Sequence, residues 1–151
     1  MGLIGNAISQ VFFQRASEAK AKGSLKGLVE NAFSILVKFS LYPSLLITII
    51  GRDLFTVVFG SVWAEAGVYA QILGIYSFFW FISTPLSNIT NVLEKQQFGT
   101  IWNIGLFLSR LFSLGIGGYF RNVYLSLGLF SVTGIILYIT LFVIQFGWLL
   151  V

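Results

Sequence analysis

Hydrophobic positions run along this chain in long unbroken blocks, and charged residues stand between the blocks as punctuation. Residues 31–51 contain one charge, Lys38, and one proline, Pro43, before Arg52-Asp53 closes the block. Residues 66–93 are uncharged with Pro85 inside, and residues 98–120 carry only Arg110. Residues 123–151 hold no charge at all. Each block reaches the roughly 20 residues that an α-helix needs to cross a bilayer. Their hydrophobicity is continuous rather than alternating, which favours helices over barrel strands. Pro85 predicts a kinked or tilted second span.

The intervening pieces complete the pattern. Glu94-Lys95-Gln96-Gln97 and Arg121-Asn122 read as tight polar turns. Residues 54–64 are apolar but fenced by Asp53 and Glu65, too short to span, so a separate interfacial or re-entrant helix is expected there. Residues 1–14 are also apolar and too few to cross, and Arg15 follows them where a signal peptide would place its charge first. They read as the last turns of a helix whose beginning is missing. Residues 15–30 are polar, with Gly23-Ser24 as a helix stop and Ser24 as the cap of the next helix. The expected architecture is therefore all-α: a polytopic transmembrane bundle of about four full spans plus an N-terminal partial helix. Residues 1–30 form the end of a truncated helix and a basic cytoplasmic loop; residues 31–151 form the four-span bundle.

Composition explains why lipid must be the solvent. The 151 residues are 57% hydrophobic and 9% charged, whereas soluble domains carry about 25% charged residues. The net charge of +4 is concentrated at one end: six of nine basic residues, but only two of five acidic ones, precede residue 53. Such a bias is an orientation signal, and nucleic acid is not an expected partner. Alternating spans put Arg15, Lys20, Lys22, Lys26 and Lys95 on one side and Arg52 and Arg121 on the other. The positive-inside rule makes the first side cytoplasmic, together with the C-terminus.

Chemistry is sparse. The chain has no His and no Cys, so thiol nucleophiles, imidazole bases and the usual zinc or haem ligands are absent. Its carboxylates are scattered; Asp53 and Glu65 share one loop and read as solvated charges. No enzyme, cofactor or metal is expected. Each span does carry a polar stripe at helical spacing: Asn31, Ser34, Lys38 and Tyr42; Ser77, Thr84, Ser87, Asn88 and Asn91; Gly99, Asn103, Arg110, Ser113 and Gly117; Tyr124, Ser131, Gly134, Tyr138 and Gln145. Small and hydroxyl members suit helix–helix packing. Lys38 and Arg110 differ, because a cation inside a bilayer costs about 2.5–3.5 kcal/mol on insertion scales and faces a wet interior or a partner. Lys38 lies near enough to one end of its span to snorkel; Arg110 lies near the middle. Arg110, Lys38, Asn103 and Asn88 are the candidate substrate-binding residues.

Several runs carry a resemblance. Residues 7–17, Ala-Ile-Ser-Gln-Val-Phe-Phe-Gln-Arg-Ala-Ser, and then Pro43 followed by Gly51-Arg-Asp-Leu-Phe-Thr-Val-Val-Phe-Gly60 resemble the second half of bacterial polysaccharide flippases. Trp63-Ala-Glu-Ala-Gly-Val-Tyr-Ala-Gln-Ile-Leu73 and residues 83–95, Ser-Thr-Pro-Leu-Ser-Asn-Ile-Thr-Asn-Val-Leu-Glu-Lys, are similar to the same family. These flippases belong to the multidrug/oligosaccharidyl-lipid/polysaccharide exporter superfamily. The resemblance implies a carrier that moves undecaprenyl-pyrophosphate-linked sugar repeat units, such as those of O-antigen lipopolysaccharide, across the bacterial inner membrane. It implies two helical bundles working by alternating access around a cationic cavity, with Lys38 and Arg110 as the matching cations. This chain would be half of such a carrier, completed by a missing N-terminal half or a partner chain. Competing readings are a drug/cation antiporter of the same superfamily, a membrane-embedded sugar polymerase or transferase using Arg52, Asp53, Glu65 and Arg121, and a non-transporting fragment.

Overall fold

The computed structural model describes the backbone of residues 2–150 and all side chains within that range except those of residues 2–10, Pro85, Asn88 and Leu150. The chain is an all-α bundle: α1 (Gly2–Ala21), α2 (Leu25–Phe59), a single 3-10 turn (Ser61–Trp63), α3 (Ala64–Leu86), α4 (Asn88–Val92), α5 (Gln96–Tyr119) and α6 (Val123–Leu150). Four stretches, Leu25–Phe59, Ser61–Val92, Gln96–Tyr119 and Val123–Leu149, are long and apolar enough to cross a membrane. Large apolar side chains such as Phe39, Ile49, Ile101, Phe107 and Val143 lie exposed along them, as a lipid-facing surface requires.

Three of the connections are the same device. At each, one N–H bonds to a carbonyl five residues back, and the N–H before it bonds three residues back: Ser24 to Ala19 and Gly23 to Lys20; Lys95 to Thr90 and Glu94 to Asn91; Asn122 to Gly117 and Arg121 to Gly118. This is the Schellman closure, which satisfies carbonyls left over at a helix end. Its left-handed residue is Gly23, Glu94 and Arg121 in turn, with φ of 69°, 60° and 50°. Asn122 also starts the next helix, its Oδ1 accepting the Leu125 N–H at 3.1 Å. Ser24 occupies the cap position of α2, but its side chain makes no capping hydrogen bond.

Two sequence expectations need correction. Residues 54–64 do not form a helix of their own. α2 runs straight through Arg52-Asp53 and stops at Phe59, where Gly60 takes φ 98°. A charged pair marks where a helix leaves hydrocarbon; it does not break the backbone. The polar stretch 15–30 is likewise no loop, since it is helical on both sides of Lys22–Ser24. Where Pro85 predicts a kinked or tilted span, the helix is interrupted: α3 gives way at Ser87 to the five-residue α4. Proline lacks the N–H that would bond the Phe81 carbonyl; beyond it, Ser87 Oγ donates to the Thr84 carbonyl at 2.8 Å.

α3 lies at the centre, packed on α2 along one side and α6 along the other, and α5 closes on α6. In lipid no hydrophobic force separates helix from solvent, so close approach and interhelical hydrogen bonds hold the bundle. A Cβ on Gly67 would stand 2.6 Å from the Arg52 Cα, so α2 and α3 touch backbone to backbone there. Gln71 Nε2 then donates to the carbonyls of Thr48 (3.2 Å) and Ile49 (2.9 Å). Gly117 lets α5 meet Ser126 of α6 equally closely, and Ser113 Oγ lies 3.4 Å from Thr133 Oγ1.

Contacts also fix which turns share an end. Ala16 and Ala19 of α1 are buried with Val29, Ile82, Ile89 and Val92. Lys20 Nζ reaches the Val92 carbonyl at 2.8 Å and the Glu94 carboxylate at 3.0 Å, while Lys95 lies 4.0 Å over the Trp148 ring. Residues 20, 94–95 and 148 are thus at one end. Glu65, 3.5 Å from the Tyr124 hydroxyl, marks the other.

Candidate functional site

The polar stripes of α3–α4, α5 and α6 face one another at the basic end and leave a cavity of about 560 Å³. That lies within the roughly 300–1,000 Å³ of small-molecule sites. α3 contributes Trp80, Ser83 and Thr84, and Ser87 and Asn91 follow beyond its end. α5 contributes Gln96 and Phe98, then Trp102 and Asn103. α6 contributes Tyr138 and Gln145. Asn91 and Gln96 are exposed at the basic end, and Thr84, Ser87, Thr100 and Asn103 are exposed too, so the cavity is a cleft open along its side between α3–α4 and α5. From Gln96 to Leu106, the deepest α5 residue, is ten helical residues, or about 15 Å, half the hydrocarbon thickness.

The walls are hydroxyls, amides and aromatic rings. Phe98 stacks on Trp102 with centroids 5.7 Å apart and meets Trp148 edge-on at 4.8 Å. Gln145 is 1% exposed, and its Nε2 reaches the Leu86 carbonyl at 3.4 Å, a long and weak contact. Asn103 Nδ2 donates to the Gly99 carbonyl one turn back at 2.9 Å, leaving its Oδ1 to the cavity. Two polar atoms of lining residues, Ser83 Oγ and Trp102 Nε1, are buried away from the open space and have no hydrogen-bond partner. Unpaired buried groups of this kind cost about 1–3 kcal/mol each.

The floor is aromatic. Tyr138 packs on Tyr76, centroids 5.9 Å apart, and Tyr76 packs edge-on to Phe130 at 5.1 Å. Gly134 makes room for the Tyr76 ring, which a Cβ would meet at 2.5 Å. Below this layer lies Arg110. Its Nη2 donates to the Tyr76 hydroxyl at 2.8 Å, and its guanidinium stands 5.4 Å over the Phe130 ring.

The four sequence candidates therefore separate. Asn103 lines the cavity. Arg110 sits behind the floor, held by a phenol and a ring, so the partner that the sequence does not supply as a carboxylate is supplied as a tyrosine. Lys38 is on an exposed face of α2, away from the cavity. Asn88 lies outside the described side chains. Trp80, Phe98 and Trp102 belong to no polar stripe, since aromatic residues in a span read as lipid-facing; Ser83 lies one turn before Ser87 and so shares a face with that stripe. The helix break at Pro85 is the one sequence signal that points to the three aromatic residues.

No protein-family model, curated protein or solved structure matches the chain, so what it does rests on this geometry.

Proposed function

We propose that this protein is part of a bacterial inner-membrane carrier that flips undecaprenyl-pyrophosphate-linked oligosaccharide repeat units, its basic end and C-terminus facing the cytoplasm. The observation that carries the reading is the cavity: a pocket of hydrogen-bonding and stacking groups opening at the basic end of a chain otherwise covered in apolar side chains. Hydroxyls, amides and rings hold a passenger; they are not the acids, bases or nucleophiles that would cleave one. Carriers place such sites between helices near the bilayer midplane, often beside an interrupted helix, as the α3–α4 break is here. Five cations at the mouth end, Arg15, Lys20, Lys22, Lys26 and Lys95, suit the approach of a pyrophosphate. The resembled family implies a second bundle, supplied by another chain or by another stretch of the same protein.

Expression in a strain lacking its polysaccharide flippase tests this. Restored surface polysaccharide is the expected result; none, with the protein present in the membrane, overturns it. The aromatic lining also favours a second reading, export of lipophilic cations, which predicts drug resistance in an exporter-deficient strain.

A further inference from the structure

We infer that a second cavity, at the end of the bundle opposite the basic one, holds the headgroup of a phosphatidylethanolamine molecule from the surrounding bilayer, its phosphate on Arg52 and its ammonium on Glu65. The inference is independent of the carrier reading, since it needs only that the helices stand in lipid. The space, about 450 Å³, is lined by Arg52 of α2, Ser61 and Val62 of the 3-10 turn, Glu65 and Val68 of α3, and Tyr124 of α6. The backbone contact of Gly67 with Arg52 sets the two charged residues at nearly the same level on neighbouring helices.

Opposite charges on one cavity would ordinarily pair with each other, and these two do not. No salt bridge joins Arg52 to Glu65, and the Arg52 guanidinium has no ion pair among the described residues. Glu65 is held by phenols instead: its Oε1 accepts the Tyr69 hydroxyl at 2.5 Å and, at a long 3.5 Å, that of Tyr124. Both bonds fall on one oxygen, which leaves the lone pairs of Oε2 to another donor. A guanidinium offers paired N–H groups to a phosphate, and a carboxylate oxygen takes a primary ammonium. Phosphatidylethanolamine carries those two groups two carbons apart. Phosphatidylglycerol has no ammonium and would set its negative charge beside Glu65; the trimethylammonium of phosphatidylcholine has no N–H to give.

The surface around the cavity points separately to a lipid. Val62, in its wall, is 91% exposed, an apolar side chain for an acyl chain to cover. Trp63, Tyr119 and Tyr124 belong to three different spans and are all exposed at this same end. Exposed Trp and Tyr of this kind mark the depth of the headgroups.

The test is native mass spectrometry of the purified chain in detergent, equilibrated with equal amounts of dioleoyl phosphatidylethanolamine, phosphatidylcholine and phosphatidylglycerol. One phosphatidylethanolamine is expected to be retained about tenfold more than either competitor. Glu65→Gln should bring the three lipids close to parity, whereas Arg52→Gln should weaken retention of all three. Asp53→Asn makes the same change of charge beside the cavity without touching its lining, and should leave the preference intact. All three side chains are exposed, so the substitutions leave the helix packing undisturbed, which helix content by circular dichroism checks. A preference for phosphatidylglycerol would mean that Arg52 acts alone. One for phosphatidylcholine would mean that the Tyr69–Tyr124 pair, centroids 5.6 Å apart, acts through its ring faces. Either overturns the assignment, as do retention without selectivity and a phosphatidylethanolamine preference that survives both Arg52→Gln and Glu65→Gln.

Discussion

Two of the three left-handed turn positions carry large side chains, Glu94 and Arg121, where glycine has no steric penalty. Glu94 gains the Lys20 ion pair in return, whereas Arg121 has no salt bridge among the described residues. Arg121→Gly is therefore expected to stabilise the protein by about 1 kcal/mol, seen as a higher unfolding midpoint in detergent. The opposite sign is expected at Gly117. A Cβ there would lie 2.6 Å from both the Cα and the Oγ of Ser126, so α5 and α6 must part. Gly117→Ala should cost about 1–3 kcal/mol in the same measurement. Helical spacing places Gly117 on a polar stripe but does not say what it meets. Nor does it separate Ser83 from its neighbours: an orphaned hydroxyl is a fact about distances between helices, and one chain's spacing carries none of those.

At the scale of elements, Lys20 adds a polar tie to the apolar packing of Ala16 and Ala19 that holds α1 against α3 and α4. Lys20 serves both the Val92 carbonyl at the end of α4 and the Glu94 carboxylate. Because the ion pair is exposed, its own contribution is below about 1 kcal/mol. Lys20→Met should hardly shift the global midpoint, yet it should speed tryptic cleavage at Lys22, in the turn that α1 would then leave free to open. Glu94→Gln, which keeps the carbonyl contact, should speed it less. The spans themselves are legible in the sequence, since a hydrophobic block with charged ends has few other solutions. The end of α2 is not, for a physical reason. Arg52-Asp53 reports where polarity begins, while helix termination is a backbone event at Gly60. Proline alone does not decide either: α3 is interrupted just after Pro85, whereas Pro43 lies inside the uninterrupted α2.

For the whole molecule, contacts group the turns into two ends, and the charge bias predicts which of them faces the cytoplasm. The absence of cysteine makes this testable by single-cysteine labelling in an otherwise unreactive chain. With the basic end cytoplasmic, Val62→Cys and Asn122→Cys should react with a membrane-impermeant maleimide in intact cells whose outer membrane admits it. Ser24→Cys and Gln97→Cys should react only after the inner membrane is opened. The reverse pattern would invert the bundle and put the cavity mouth on the outer side.

The depth of that cavity has an electrical consequence. Wherever its open side is covered and water fills it, the potential of the adjoining compartment extends down to the Tyr76–Tyr138 layer, about 15 Å in. The membrane voltage then falls almost wholly across the remaining half, where the gradient is about doubled. Arg110, immediately behind the tyrosines, stands at the edge of that steep region, and a charge crossing the full drop exchanges about 2.3 kcal/mol per 100 mV. Any rearrangement that opened the floor would move this guanidinium within a concentrated field, so a membrane voltage would bias the floor whatever stood above it.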